Sequence, residues 1–345
     1  MTQGLNPLVL LLSGFDWSGR TGRVPLALLV AVWVALGVAY AVWADGLLWV
    51  EAGVIVAAAA LFVPLVGHLL RRINDIGWSG WWVWVLALPW AGLVFLAVLL
   101  VKRASPRLRR RDPTAFRGVG FMLACGLSVL LLTRLVWAPY QMVAGTMKPN
   151  LLVGDVVIAL RHPLRDPLPG DVVVFRHPRL GTPEIARVVA QGGDRVQMRG
   201  GVLFINDASV GIVDLGLWGE PFAPQGPLRR FPRCENGAVG LGARCEASLW
   251  RETLPGGAAH LILDLGPSAL DPVEEFTVPA GHSFLMGDHR DNVLDSRMAP
   301  GAGGYGMVPA EAVTGRVLRV AFSAEGRFLW MVWTWRWDRI WEAVA

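Results

Sequence analysis

The residues of this sequence that could carry out covalent chemistry are a threonine and a few candidate bases. Thr146 lies in MVAGTMKPNLLVGD, the chain has two lysines, Lys102 and Lys148, and His289 lies in GHSFLMGDHRDNVLDSR. A hydroxyl is a weak nucleophile until a base removes its proton, and an amine serves as that base only when desolvation lowers its pKa. These groups would allow nucleophilic catalysis through an activated hydroxyl if a base lies beside it.

Other chemistries find no support in the sequence. It contains no metal-ligand cluster, no nucleic-acid motif and no phosphate-binding glycine loop, since PGGAAH and PGAGGYG are typical of turns. We therefore expect no metal, no cofactor and no nucleic-acid partner.

The elements that position these groups belong to a membrane protein. The 345 residues suffice for about two domains of ~150 residues each, and 54% of them are hydrophobic, too many for an ordinary soluble protein. Three charge-free runs approach the roughly 20 residues that a bilayer-spanning helix needs, and a shorter fourth run begins at Gly118. We predict a multi-span α-helical membrane domain followed by a β-rich, mainly antiparallel extracytoplasmic domain, divided into a membrane domain (1–104), a basic cytoplasmic linker (105–118), a transmembrane anchor (119–138), the β-rich domain (139–325) and a Trp-rich interfacial helix (326–345).

The segment VKRASPRLRRRDPTAFR concentrates positive charge, as cytoplasmic loops do under the positive-inside rule. The fourth span then carries the β-rich domain to the outer side. Counting back through three spans places LLRRIND outside, against the same rule. A re-entrant hairpin broken near Pro89 would remove the conflict, and the sequence does not choose between these arrangements.

Short β-branched runs separated by turn residues predict the antiparallel domain, among them DVVIALRH, DVVVFRHP and IARVVAQ, with a hairpin at RGGVLFINDASV. In the exported loop RCENGAVGLGARC, Cys234 and Cys245 either form a disulfide or remain two free thiols. The tail predicts an interfacial helix with tryptophans at headgroup depth, or else a stripe packed on the β-rich domain, formed by Trp330, Trp333, Trp337 and Trp341.

The β-rich half resembles signal peptidase I. GHSFLMGDHRDNVLDSR is close to that family's G-D-N-R-D-N-S-x-D-S-R signature, and GTMKPNLLVGD, PGDVVVFRHP, ARVVAQGGDRV and RETLPGG support it in order. The resemblance implies a bacterial membrane-bound endopeptidase that removes signal peptides on the outer side of the cytoplasmic membrane. It also implies a Ser nucleophile, a neutral Lys base and an oxyanion hole.

The first 100 residues or so resemble a family of small bacterial integral-membrane domains of unknown function, through WSGRTGR and HLLRRINDIGWSGWW. This resemblance implies no activity. Arg71 and Arg72 either mark a membrane face or form a polar site with Asp75.

When the family's catalytic residues are placed on this sequence one by one, each position holds a different residue type. The nucleophile falls on Thr146, the oxyanion-hole Ser on Ala144, the Lys base on Ala186 and the Ser that orients the Lys on Val293. The change at Val293 follows from the loss of Lys, because a buried Ser would then lack a hydrogen-bond partner. The scaffold of the signature is retained, with Asp288 or Asp295 expected to pair with Arg297, in residues Gly287, Asp288, Arg290, Asp291, Asn292, Asp295, Ser296 and Arg297.

Neither remaining base is expected to act, because Lys148 falls at a solvent-side position of the family's loop and His289 replaces an Asn of the signature. The leading hypothesis is a catalytically inactive pseudo-peptidase of the bacterial inner membrane, with its large domain on the periplasmic side. It would bind a signal-peptide-like segment, a lipid or another membrane protein, with the four changed positions lining a shallow pocket. The alternatives are an active signal peptidase that uses Thr146, and a structural subunit of a membrane complex.

Overall fold

The chain forms two compact units, residues 1–135 and 136–345. The structure, a computed structural model, describes residues 7–17, 20–43, 48–87, 89–105, 114–161, 166–237, 239–326 and 331–344.

The first unit is helical because its long apolar runs satisfy their backbone within each segment. Its elements are α1 (Pro7–Ser13), α2 (Arg23–Trp43), α3 (Leu48–Asp75), a 3-10 helix (Gly80–Ala87), α4 (Pro89–Val101) and α5 (Thr114–Thr133). Fully buried Leu26, Ile73 and Leu99 join α2, α3 and α4 in one apolar cluster.

Two of the described helices contain a stretch long and apolar enough to cross a membrane, Arg23–Tyr40 in α2 and Ala52–Asp75 in α3. The third predicted span is not one helix, because α4 begins at Pro89 after the separate 3-10 helix. A proline at the first position of a helix loses no intrahelical hydrogen bond, so Pro89 is suited to the start of α4. The fourth predicted span is α5, whose apolar stretch Gly120–Thr133 is shorter.

The described residues of the second unit form three antiparallel sheets, which confirms the predicted β-rich, mainly antiparallel fold. The strand orders are β1-β2-β14-β3-β4-β12-β13, β10-β9-β8 and β11-β5-β6-β7. The strands are β1 (Trp137–Gln141), β2 (Asp155–Arg161), β3 (Val172–Arg176), β4 (Pro183–Gln191), β5 (Arg195–Arg199), β6 (Val202–Ile205), β7 (Ala208–Ser209), β8 (Gly211–Pro221), β9 (Arg244–Thr253), β10 (Ala259–Asp264), β11 (Val273–Thr277), β12 (His282–Met286), β13 (Val308–Pro309) and β14 (Val313–Ser323).

The predicted hairpin at RGGVLFINDASV comprises β5, β6 and β7. Between β6 and β7 the two-residue turn uses Asn206 and Asp207, both with positive φ (52° and 67°). Asn and Asp tolerate this conformation, and such turns match the twist of the strands they join.

The tail does not form the predicted interfacial helix in its described part, residues 331–344. It contains two 3-10 turns, Val332–Thr334 and Trp337–Arg339, and bonds its backbone to β14, for example from Trp341 N to Val320 O at 2.7 Å. Only the first residues of β14, up to Arg316, pair with β3. The rest of that edge offers backbone hydrogen bonds to the tail, and these compete with the hydrogen bonds that a helix in the tail would form.

The tail tryptophans nevertheless point outward. Trp333, Trp337 and Trp341 are 70%, 64% and 58% exposed, whereas Trp330 lies outside the described residues. The alternative in which this stripe packs onto the β-rich domain is therefore not seen for these three side chains.

Candidate functional site

The signature loop that follows β12 is held by buried ion pairs. Arg187 on β4 makes two hydrogen bonds to Asp288, Nε to Oδ1 at 2.8 Å and Nη2 to Oδ2 at 2.7 Å, and both side chains are 1% exposed. Arg297 pairs with Asp295 at 2.9 Å, which is one of the two pairings expected for it. The ion-pair partner of Asp288 is thus Arg187. The sequence analysis did not predict a role for Arg187, although it adjoins Ala186.

Other signature residues hold the loop in place, either by hydrogen bonds to backbone N–H groups or by an ion pair to a strand of another sheet. The Asp291 carboxylate accepts the N–H of Leu265 at 2.8 Å, and the Ser296 hydroxyl accepts the N–H of Leu285 at 2.9 Å. Arg290 donates to Glu252 on β9, and both side chains are buried. The loop is therefore a rigid base on which the nucleophile position rests.

The segment that carries Thr146 packs directly on this base. The carbonyl of Thr146 accepts the N–H of His289 at 3.0 Å, while Met147 and Leu151 are fully buried. A Cβ added at Gly287 would lie 2.8 Å from the Thr146 carbonyl oxygen and 2.6 Å from Cγ1 of Val293. Gly287 is therefore needed for the close approach of the two loops.

The four changed positions divide between two places. Ala144 and Thr146 line a cavity of about 110 Å³, whereas Ala186 (0% exposed) and Val293 (7%) lie in one apolar core cluster. Ala186 is paired with Val173 in the β3–β4 register, and β4 turns its side chain into the core. The hypothesis that all four line one pocket is therefore wrong. The position expected for a base is dry and apolar.

Lys148 is not solvent-side as expected but 3% exposed, and it lines the same cavity as Thr146. Its Nζ donates to Glu220 Oε1 at 2.5 Å, to Glu220 Oε2 at 2.6 Å and to Gln225 Oε1 at 2.7 Å. Burial lowers the pKa of the Lys148 amine, and Glu220 opposes that shift. Three acceptors occupy the three N–H donors of an ammonium, so we assign Lys148 as a charged, engaged group with no lone pair for a base role.

His289 is 3% exposed, and its Nδ1 is buried without a hydrogen-bond partner. Burial, together with the nearby positive charge of Lys148, lowers the pKa of His289 to about 4, so the ring is neutral at pH 7. No hydrogen bond joins the Thr146 hydroxyl to either His289 or Lys148, all three of which lie in the described part of the chain.

The polar contacts of the site extend to two regions that the sequence reading did not connect with it. Glu220 and Gln225 come from the end of β8 and the segment after it. From the tail, Arg339 pairs at 2.7 Å with Asp155, which is fully buried at the start of β2 and also accepts the Ser323 hydroxyl at 2.6 Å. A buried carboxylate requires such partners, but spacing alone does not say which distant arginine supplies them.

Cys234 and Cys245 are joined by a disulfide, with Cα atoms 5.0 Å apart. Cys245 lies at the beginning of β9, and Cys234 in the loop that leads to it. The bond therefore closes the loop immediately beyond the residues that line the cavity wall.

Comparison with known proteins accounts for both units. Residues 116–322 match the family described as signal peptidase, peptidase S26, and residues 14–113 match a family described as protein of unknown function (DUF805). Signal peptidase I of Pseudomonas aeruginosa is 32% identical over 226 residues, which cover 59% of this chain and 68% of that protein. Signal peptidase I of Aquifex aeolicus is 30% identical over 223 residues, covering 58% and 81%.

A crystal structure of a signal peptidase I from Enterococcus faecalis is 20% identical, with a TM-score of 0.24, and covers 44% of this chain and 97% of that one. The family match spans more than half of the chain, and its residues include the cavity and the signature loop. The chain therefore belongs to the signal peptidase (peptidase S26) family, with an N-terminal DUF805 domain.

Proposed function

We propose that this chain is a catalytically inactive member of the family that binds an extended peptide segment without cutting it. The observation that supports this most is Ala186, fully buried among apolar neighbours at the position where the family resemblance places a lysine amine. A general base contributes about 10²–10⁴ in rate and an oxyanion donor about 10²–10³. Because such groups act as a unit, their combined loss leaves little turnover.

The cavity beside Thr146 supports retained binding. Its rim includes Val143 (41% exposed) and Phe231 (49% exposed), which offer apolar contact, and its volume of about 110 Å³ suits a single side chain. An extended segment with small residues, of the kind found in signal peptides, fits such a site. A segment of another membrane protein with the same chemistry is an equivalent ligand.

The experiment that tests inactivity is cleavage of a model preprotein by the purified full-length protein in detergent. Thr146→Ala is the matched control, and a variant carrying Thr146→Ser, Ala144→Ser, Ala186→Lys and Val293→Ser restores the family's residues. We expect cleavage by the restored variant only. Cleavage by the natural chain that Thr146→Ala abolishes would show an active enzyme.

One observation favours active cleavage as a second candidate function. The neutral His289 ring is chemically able to accept a proton, because its Nδ1 has no hydrogen-bond partner, and the His289 backbone N–H bonds to the Thr146 carbonyl. In that case His289→Gln removes cleavage as completely as Thr146→Ala, which distinguishes this candidate from a base located elsewhere.

We further propose that the first unit has three spans, α2, α3 and α5, with residues 76–101 as a re-entrant hairpin. Arg72, near the end of α3, donates from Nε to the carbonyl of Leu99 at 2.8 Å and also to that of Lys102. Ser105 N donates to the carbonyl of Asp75 at 2.9 Å. After α4 the chain therefore returns to the same membrane face as the end of α3.

The same face also holds the start of α2, because Arg20 lies 3.8 Å from Asp75 and donates to the carbonyl of Ser105 at 3.0 Å. Basic residues gather at this face, which makes it cytoplasmic under the positive-inside rule. α5 then leads outward, and the β-rich domain is periplasmic. This arrangement removes the conflict that four full spans create at Arg71 and Arg72.

Single cysteines in a Cys125→Ser background test this arrangement with a membrane-impermeant maleimide on intact spheroplasts. Ser79→Cys and Ser105→Cys should react only after permeabilisation, whereas Ser209→Cys in β7 should react from outside. Reaction of Ser79→Cys from outside would require four full spans.

We also propose that the exposed tail tryptophans insert into the bilayer surface without forming a helix. Large exposed indole rings favour the headgroup region, where one edge contacts acyl chains and the N–H contacts water. Replacing Trp333, Trp337 and Trp341 by Ser should weaken adsorption of the protein's outer domain to lipid, measured as indole quenching by brominated lipid in proteoliposomes. Unchanged quenching from the remaining tail would refute this contact.

A further inference from the structure

The cavity beside Thr146 has a wall that comes from outside the family's catalytic segments. We call residues 222–233, which follow β8, the strap. Gln225, Arg230, Phe231 and Pro232 of the strap face the cavity from one side, and Ala144, Gly145, Thr146 and Asn292 face it from the other. An extended peptide that places a side chain in this cavity would contact both walls.

A buried polar cluster joins the strap to the Thr146 segment. Besides its two bonds to Glu220 and one to Gln225, Lys148 lies with Nζ 5.6 Å from the ring centroid of Trp218. Gln225 also donates from Nε2 to Glu220 Oε2 at 2.6 Å. The donors and acceptors of the three side chains thus satisfy one another, and the cluster connects two segments that share no strand pairing.

Weaker contacts hold the strap elsewhere. A Cβ added at Gly226 would lie 2.4 Å from Cγ1 of Val153, so the strap backbone lies directly on that side chain. Arg233 donates to the carbonyl of Asp291 at 2.8 Å, but its side chain is exposed.

Lys148 reaches the strap through Gln225, and its charged partner Glu220, whose side chain is 13% exposed, lies at the end of β8. Gln225 bonds to both members of this ion pair, so lifting the strap would leave the ammonium and the carboxylate each one hydrogen bond short in a largely buried place, which costs more than losing an exposed hydrogen bond.

We propose that Lys148 is a positioning residue that locks the strap over the cavity, so that peptide binding requires the strap to lift. The proposal rests on the proposed peptide binding for its ligand, but the lock itself is a property of the free protein. With the strap closed, the cavity of about 110 Å³ has room for about one side chain. The apparent affinity for a peptide is then reduced by the small fraction of molecules in which the strap is open.

Hydrogen–deuterium exchange of the full-length protein tests the lock without any ligand. Lys148→Met removes the cation, and Lys148→Met with Glu220→Gln removes it without leaving a buried carboxylate unpaired. Asp207→Asn is the matched control, because it removes the exposed Arg195–Asp207 pair at a turn where Asn is equally tolerated. We expect exchange in residues 222–233 to accelerate about tenfold or more in both Lys148 variants, with no change in β5 and β6 or in the control. Unchanged exchange in the strap of the double variant would overturn the lock.

Binding of a fluorescent signal-peptide segment tests the gate. If the lock limits opening, the double variant binds with an apparent Kd lower by about the same factor as the increase in opening. Faster exchange with an unchanged Kd would show that the strap moves but does not gate the cavity. Absence of binding by natural and variant proteins alike would refute the proposed peptide binding, and exchange alone then decides whether Lys148 locks the strap.

Discussion

Replacing Ala186 by Lys tests directly whether the position predicted for the base lies in an apolar core. The side chain is 0% exposed, and the residues around it, Val173, Phe175, Val188 and Val293, are apolar and at most 7% exposed. Among the described residues of that cluster, the hydroxyl of Tyr305 is the polar group that a lysine placed there could meet. The lysine can fold into the core only by giving up its proton or by disrupting the packing.

The magnitude follows from the shift in pKa. An unfolded lysine has a pKa of about 10.4, and buried lysines reach about 5–6. With the folded pKa depressed, the unfolded state binds the additional proton between these two values, so stability falls as pH falls from about 10 to about 6. At ~1.4 kcal/mol per pH unit, Ala186→Lys should lose about 4–5 kcal/mol at pH 7 from this cause, beyond the ~1–3 kcal/mol for overpacking.

The control is Ala186→Met, which fills similar space without a titrating group. Thermal unfolding of both full-length variants, followed by tryptophan fluorescence from pH 6 to 10, should show Ala186→Lys less stable by roughly 10–20 °C at pH 7. This difference should shrink towards pH 10. Adding Val293→Ser should recover part of it, because a hydroxyl can then bond to the amine. Parallel pH profiles for Lys and Met would refute the reasoning, since they would show that the amine reaches water.

Three further predictions concern the site's supports. Arg187→Gln leaves the buried carboxylate of Asp288 without its cation and should lower the free energy of unfolding by about 3–5 kcal/mol. Loss of the half-exposed Arg195 is the control and should cost less than ~1 kcal/mol. Thermal unfolding of the two variants measures the difference. As pH falls from 6.5 towards 4, the unfolded state protonates His289 while the folded state keeps it neutral, so the natural protein should lose up to ~3 kcal/mol more than His289→Gln in urea titrations. Replacing Cys234 and Cys245 by Ser should lower stability by about 3 kcal/mol, judged from their separation of 11 residues, and reductant should reproduce the loss in the natural chain.

The sequence predicted the β-rich domain because its information is local there. β-branched runs with turn residues define β2, β3, β4 and the β5–β6 hairpin almost to their ends. The signature loop could also be placed, since its glycine and its charged residues are each required by one short segment. The partner of Asp288 could have been found, because a buried carboxylate in this motif needs a cation and Arg187 adjoins Ala186.

The tail and Lys148 could not be predicted, because distant segments decide both. A stripe of tryptophans at helical spacing favours a helix only if the backbone has no better partner, and the free edge of β14 provides one. Lys148 became buried because Glu220, 72 residues away, neutralises it. Nothing near Lys148 in the sequence carries that information, and a flexible, charged side chain is on the surface in most proteins.

The third predicted span is not a single helix, and hydropathy could not show this because it measures the length of an apolar run and not its path. The run is divided into the 3-10 helix and α4, and Arg72 donates to carbonyls at the end of α4 and just after it.

The geometry of the site also couples positions 186 and 293, which lie in one apolar cluster. A lysine at position 186 next to Val293 would be a buried amine without the serine hydroxyl, and a serine at position 293 next to Ala186 would be a buried hydroxyl without the amine. Both single states are penalised, by several kcal/mol for the amine and by about 1–3 kcal/mol for the hydroxyl. The pair is therefore stable as Lys with Ser or as Ala with Val, and restoring either residue alone costs stability without supplying a functioning base. Thr146→Ser alone should accordingly leave cleavage absent. Ala186→Lys with Val293→Ser should be more stable than Ala186→Lys by itself, and equal stability of the two would show that positions 186 and 293 are not coupled.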